Sequence, residues 1–162
     1  GGHIALVGWG PGSPVSLAFV PAGGKLWTVA GRRGPPGDGA VSGYLAAVPD
    51  GAAAGVALGA QVAPLGLAFY RSRAFPGRYH GGAFIGLYGP ADAARLPEHA
   101  VAFVPFESGQ PAGPAEPFLT GFVKDEETRE VYGRPAAVAM APDGALLVAD
   151  DGGNIIWRIA PY

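Results

Sequence analysis

Histidines, an acidic turn and a few well-placed arginines are the residues here whose types could do chemistry. His3, His80 and His99 could each take up a proton near neutral pH. They share no ligand spacing, so a histidine metal site is not expected. His80 is the candidate general base. It lies in Arg78-Tyr79-His80-Gly81-Gly82, just ahead of a strand-like run. Asp150-Asp151-Gly152-Gly153-Asn154 gathers oxygen ligands, but without the alternating spacing and distal Glu of an EF-hand. The same residues supply the positive φ and local hydrogen bonds of a tight turn, and a turn is the expectation.

A third motif loses its chemistry on inspection. The apolar residues 4–7 run into Gly8-Trp9-Gly10-Pro11-Gly12, which begins like a dinucleotide-binding turn. That turn needs a helix immediately after it, to hold a pyrophosphate at its N-terminus. Pro11 and Pro14 bracket the turn, Ser13 takes the third glycine position, and a β pattern follows. Nucleotide binding is therefore not expected. Nor is nucleic acid: the net charge is −2, from 11 basic and 13 acidic residues, with no basic stripe. The mixed-sign run 124–130 reads as a solvated loop. The sequence has no cysteine, which excludes disulfides and thiolate metal sites. It shows no apolar run of membrane-spanning length, and no signal peptide is read in it.

Short strands must position whatever chemistry remains. The 28 glycines and 17 prolines make up more than a quarter of 162 residues, leaving little room for long helices. They punctuate apolar runs, as turns between strands do. One pattern occurs three times: Pro14-Val15-Ser16-Leu17-Ala18-Phe19, Pro64-Leu65-Gly66-Leu67-Ala68-Phe69 and Pro135-Ala136-Ala137-Val138-Ala139-Met140. In the first and third copies a turn (Ala22-Gly23-Gly24 or Asp143-Gly144) leads to a second apolar run, as in a hairpin.

Roughly twelve strands are predicted. They centre on residues 4–7, 15–20, 26–29, 44–48, 56–58, 65–70, 83–87, 101–106, 118–123, 137–141, 146–149 and 155–159. At four strands per blade this makes about three blades. The expected fold is all-β: a partial β-propeller, half of a six-bladed one, in a single domain over residues 1–162. Its modules are expected at 1–50, 51–110 and 111–162. Uncovered blade edges predict self-association.

About a hundred residues resemble the soluble quinoprotein sugar dehydrogenases, in particular the sorbosone and aldose dehydrogenase-like branch. The likeness lies in Leu65-Gly66-Leu67-Ala68-Phe69-Tyr70, Gly81-Gly82-Ala83-Phe84-Ile85-Gly86 and Val101-Ala102-Phe103-Val104-Pro105-Phe106. It is strongest in Tyr132-Gly133-Arg134-Pro135 and in Ala141-Pro142-Asp143-Gly144, continuing to Asp150-Asp151, and ends in Gly153-Asn154-Ile155-Ile156-Trp157-Arg158.

The resemblance implies a six-bladed propeller, a periplasmic or secreted location, and a sugar as substrate. It implies pyrroloquinoline quinone (PQQ) as cofactor beside a calcium ion, with a histidine taking the sugar hydroxyl proton as hydride passes to the quinone. Arg134 takes the place of a cofactor-contacting arginine. Gly34 and Pro35, through their carbonyls, and Asp38 take the place of calcium ligands. Other family positions differ: the Arg-Asn before the strand-opening proline is Gly12-Ser13, and the polar loop after Gly86 reads Leu87-Tyr88-Gly89-Pro90. The family's catalytic histidine falls in an N-terminal half with no counterpart in these residues. The expected function is thus that of a fragment or degenerate member of such an enzyme, inactive alone. The alternatives are a non-catalytic module binding a protein or carbohydrate, and an active quinoprotein using His80.

Overall fold

The computed structural model describes residues 3, 5–6, 12–33, 41–48, 51–60, 62–89, 99–125, 128 and 130–161. The chain is all-β, with several antiparallel sheets. The first is a four-stranded meander of β1 (Ser13–Phe19), β2 (Leu26–Arg33), β3 (Val41–Ala47) and β4 (Gly51–Ala60). The second is built from β5 (Ala63–Phe69), β6 (Ala83–Tyr88) and β7 (Ala100–Val104). After a two-stranded ribbon of β8 (Phe106–Glu107) and β9 (Gln110–Pro111), β10 (Glu116–Leu119) returns to pair with β7. A second ribbon, β11 (Val123–Asp125) with β12 (Glu130–Val131), leads to a three-stranded sheet of β13 (Pro135–Met140), β14 (Leu146–Asp150) and β15 (Ile155–Ile159).

Some boundaries differ from those read in the sequence. Residues 51–60, expected to open the second module, hydrogen-bond to β3 and complete the first sheet. The single strand expected over 118–123 is divided: Gly121, at φ +90°, turns the chain between β10 and β11, which belong to different sheets. Pro105 separates β7 from β8 in the same way. Residues 4 and 7 of the expected first strand lie outside the described residues.

The threefold sequence pattern has a threefold geometry. In each sheet the register of the first strand slips by one residue just after its opening proline, between Pro14 and Ser16, Pro64 and Gly66, and Pro135 and Ala137. A β-bulge of this kind re-aims the strand that follows. From there the side chains alternate with period two. Leu67 and Phe69, three and five residues after Pro64, pack with Trp27, Val29, Leu45 and Leu58 of the first sheet. Ala68 points the other way, into a second core where Phe84, Val101 and Phe103 meet Val138, Met140, Leu146 and Val148 of the third sheet. The positions three and five after the proline face the preceding sheet. The position four after it faces the following one, as Ala18 does in the first sheet. The three sheets thus form a stack with two cores, and the middle sheet is buried on both faces.

The seam between the second and third sheets is closed by backbone. Gly66 and Gly86 pair across β5 and β6. A Cβ at Gly66 would sit 2.8 Å from Ala136 O, Ala137 Cα and Val138 N, and one at Gly86 would sit 2.8 Å from Ala136 O. Two side chains are missing so that β13 can lie against the sheet. At the far end of the same strands, the buried Tyr70 hydroxyl donates to Gly144 O (2.9 Å) and accepts from Phe75 N (2.8 Å). This holds the β13–β14 hairpin down.

Gly66→Ala is expected to lower unfolding free energy by about 1–3 kcal/mol, the usual cost of overpacking a seam. Gly77→Ala, whose Cβ would meet nothing within 4 Å, should change it by no more than about 0.5 kcal/mol. Urea unfolding of both variants checks this; equal losses would show that the close approach at Gly66 is not a constraint.

Candidate functional site

Arg134, Tyr88, His99 and the 150–154 turn come together at the end of the sheets where β5 and β13 begin. Register places them there: Ala63 pairs with Tyr88, Leu87 with Ala100, and Pro135 with Asp150, itself opposite Ile155. The first sheet opens on the same side, because a Cβ at Gly43 would touch Val62 O (2.9 Å) and the Pro64 ring (3.1 Å). β2 ends at Arg33 and β3 begins at Val41 with these two paired, and Gly34, Pro35 and Asp38 fall between them in the sequence. Those three residues themselves lie outside the described residues.

Arg134 is half-buried, and two neighbours orient it. Its Nε lies 2.9 Å from Asp151 Oδ1, and its guanidinium carbon stands 5.9 Å from the centre of the Tyr88 ring. The ring of Tyr88 in turn lies 5.0 Å from that of His99, whose φ of +48° is rare for a side-chain-bearing residue. A guanidinium fixed in this way presents a planar fork at the rim of the sheets, suited to a carboxylate.

The acidic turn is built around Asp150. The residue is 3 % exposed, and its carboxylate collects four N–H donors. Oδ1 accepts from the backbone of Arg134 (2.7 Å), Gly153 (2.8 Å) and Gly152 (3.1 Å), and Oδ2 accepts from the Trp157 indole (2.9 Å). Gly133 lies so close that a Cβ there would collide with the carboxylate. Burial pushes the Asp150 carboxyl up, but the Trp157 indole and the three backbone N–H groups together hold it below its ordinary value. Its oxygens are committed to the turn, which ties the start of β13 to the end of β14. Arg134 is positioned by that knot through its own backbone N–H. Sequence reading expected the turn and missed its centre. The available signal was an aspartate with glycines two and three residues on, Gly152 and Gly153, whose N–H groups can reach back to its side chain.

His80 lies elsewhere. It follows the 3-10 turn Gly77–Tyr79, at the end of the second sheet where Phe69 pairs with Ala83, opposite the Arg134 end. Its Nε2 donates to Phe75 O (2.9 Å), and its ring stacks on Tyr70 at 6.4 Å. That bond leaves Nδ1 as the nitrogen able to accept a proton. His3 is exposed. Among the described residues, no three His, Cys, Asp or Glu side chains come together to hold a metal ion. No helix among them is long and apolar enough to cross a membrane.

Asp150→Asn should cost about 1–3 kcal/mol at pH 7, because the neutral amide loses charge-assisted bonds and turns a donor toward donors. The folded carboxyl titrates below the unfolded one, so its contribution is fully present above about pH 4 and fades as pH falls through the folded value. The gap in melting temperature between wild type and variant is therefore expected to narrow in acid. A gap independent of pH would assign the effect to shape alone.

A protein of Borreliella burgdorferi described as "Uncharacterized protein" is 34% identical to this chain over 103 residues, which are 63% of the chain and 27% of that relative. The chain thus spans about a quarter of the length of the curated relative it matches. No family model matches the sequence, and no solved structure matches it.

Proposed function

We propose that the three stacked sheets are blades of a β-propeller, and that the chain is a portion of a PQQ-dependent sugar dehydrogenase located in the periplasm or secreted. The observation that carries this is the thrice-repeated bulged strand. It places the first strand of each sheet beside that of the next, with β5 against both β1 and β13, as inner strands lie around a propeller axis. The resemblance in Tyr132-Gly133-Arg134-Pro135 then falls on the rim where those inner strands begin. Arg134, backed by Asp151 and Tyr88, fits one cofactor carboxylate. By the same resemblance, the carbonyls of Gly34 and Pro35, with Asp38, would hold calcium. PQQ, when bound, supplies the hydride acceptor. His80 stands at the opposite end of its sheet. In this reading the proton acceptor is therefore contributed from beyond these 162 residues, and the chain alone does not oxidise sugars.

PQQ titrated in the presence of calcium and followed by absorbance is expected to bind weakly. Gly12-Ser13 replaces a charged and an amide contact, and each such loss weakens binding roughly 10- to 150-fold. Arg134→Ala should weaken the residual binding by about another 10-fold, while Arg73→Ala should leave it unchanged. Equal effects of the two substitutions would remove Arg134 from the site. No PQQ binding at any concentration would favour a non-catalytic module, and a sub-micromolar complex would overturn the inactivity of the isolated chain.

A further inference from the structure

The reason that Gly152 carries no side chain lies in Arg134. Its backbone does not demand glycine, because the left-handed residue of the turn is Asn154, at φ +53°, and Gly152 is outside that region. Its hydrogen bond in the turn, from N–H to Asp150 Oδ1 (3.1 Å), uses a group that every residue but proline has. What fills the space is the arginine. A Cβ at Gly152 would lie 3.1 Å from Arg134 N, 3.2 Å from Arg134 Cγ and 3.3 Å from Arg134 Nε, and these are its three nearest atoms. At Gly153 the nearest atoms belong instead to Asp150 and Ile155. The two adjacent glycines therefore serve different ends: Gly153 makes room for the Asp150 knot, and Gly152 makes room for the arginine.

The stem laid on Gly152 completes a set of restraints along the whole of Arg134. Its backbone N–H donates to Asp150 Oδ1 (2.7 Å), and its carbonyl accepts from Asp151 N (3.2 Å). Its Nε is shut off from solvent and stands 2.9 Å from Asp151 Oδ1, an ion pair and not an aligned hydrogen bond. Its guanidinium carbon is 5.9 Å from the centre of the Tyr88 ring. The side chain as a whole is nevertheless 39% exposed. With Nε buried and Cγ against the turn, the part left open to a ligand is the edge formed by the two Nη atoms.

We propose that Gly152 is a positioning residue for Arg134. By lacking a Cβ it lets the arginine stem lie flat on the turn, which holds the guanidinium with its Nη edge outward before any ligand arrives. Asp151 occupies the Nε flank, so a carboxylate meets both Nη atoms end-on, in a two-bonded fork. A free arginine side chain loses rotamer freedom when it binds, and that loss weakens affinity; here it is taken up during folding. The identity of the ligand group as a PQQ carboxylate rests on the reading above. The fixing of the arginine does not.

Gly152→Ala keeps the backbone N–H and suits a φ outside the left-handed region. Its melting temperature should stay within about 2 °C of the unaltered chain. The first readout needs no ligand. Nitrogen relaxation of the arginine side chains by NMR should give Arg134 Nε–H an order parameter of about 0.85, falling below about 0.6 in Gly152→Ala. Arg73, which is exposed, should be mobile in both. The second readout is PQQ titration with calcium. Gly152→Ala should weaken binding about 2- to 10-fold, the cost of ordering one long side chain. Added to Arg134→Ala it should weaken binding no further, because its effect passes through the arginine. An Arg134 Nε as ordered in Gly152→Ala as in the unaltered chain would overturn the proposal, whatever the melting temperature. So would a loss of binding that Gly152→Ala still causes in full when Arg134 is alanine. Absence of PQQ binding by the unaltered chain would overturn the cofactor reading, and the relaxation comparison would still decide the role of Gly152.

Discussion

Leu67, Phe69 and Ile85 point one way from the middle sheet, and Ala68, Phe84 and Phe103 point the other way. These side chains carry much of the face-to-face packing between the large sheets. The arrangement depends on the period-two alternation of β5 being set by the bulge after Pro64. A slip of one residue would exchange the two sets and leave large groups where small ones are required. It also depends on Gly66 and Gly86, which remove side chains where β13 presents its backbone. Aromatic groups fill the remaining volume. Phe84 lies in edge or tilted contact with Tyr70, Phe75, Phe103 and Phe118, and Phe106 meets both Trp27 and Phe69 edge-on at 5.0 Å.

The rim inherits its order from this packing. Arg134 is one residue ahead of the strand that lies on the glycine pair, and its backbone N–H is bound by Asp150. Its side chain is braced by Asp151 from its own sheet and by Tyr88 from the neighbouring one. A ligand contact at this arginine would therefore report the seating of the third sheet on the second as well as its own charge. At the opposite end, Tyr70 bonds to Gly144 and to Phe75, while His80 bonds to Phe75 and stacks on Tyr70. The histidine there belongs to the connection that clamps the far hairpin.

The all-β class and the three repeats were legible because prolines and alternating apolar residues act locally. Pro14, Pro64 and Pro135 each open the first strand of a sheet, as their spacing suggested. What escaped was non-local. Nothing near residue 51 says that β4 pairs backward to β3 and not forward, since its run Gly-Ala-Ala-Ala-Gly has no strong face. The split at Gly121 depends on a positive φ that a lone glycine permits without announcing it. At the rim, Arg134 was found through its neighbourhood in sequence. The Asp150 knot was not, because three of its donors are anonymous backbone groups and the fourth, Trp157, lies on another strand.

Each large sheet is closed mostly by its own stretch of chain, and its cores are shared only with the sheets next to it. In such a stack, stability behaves as a sum of modules and nearest-neighbour seams, as in a one-dimensional array. The middle sheet participates in two seams, and each outer sheet participates in one. Opening fluctuations should therefore begin at the outer sheets, and the slowest amide exchange should be found along β5, β6 and β7. Because the rim around Arg134 straddles the seam between the second and third sheets, it would come apart when the third sheet peels away, well before the chain as a whole unfolds.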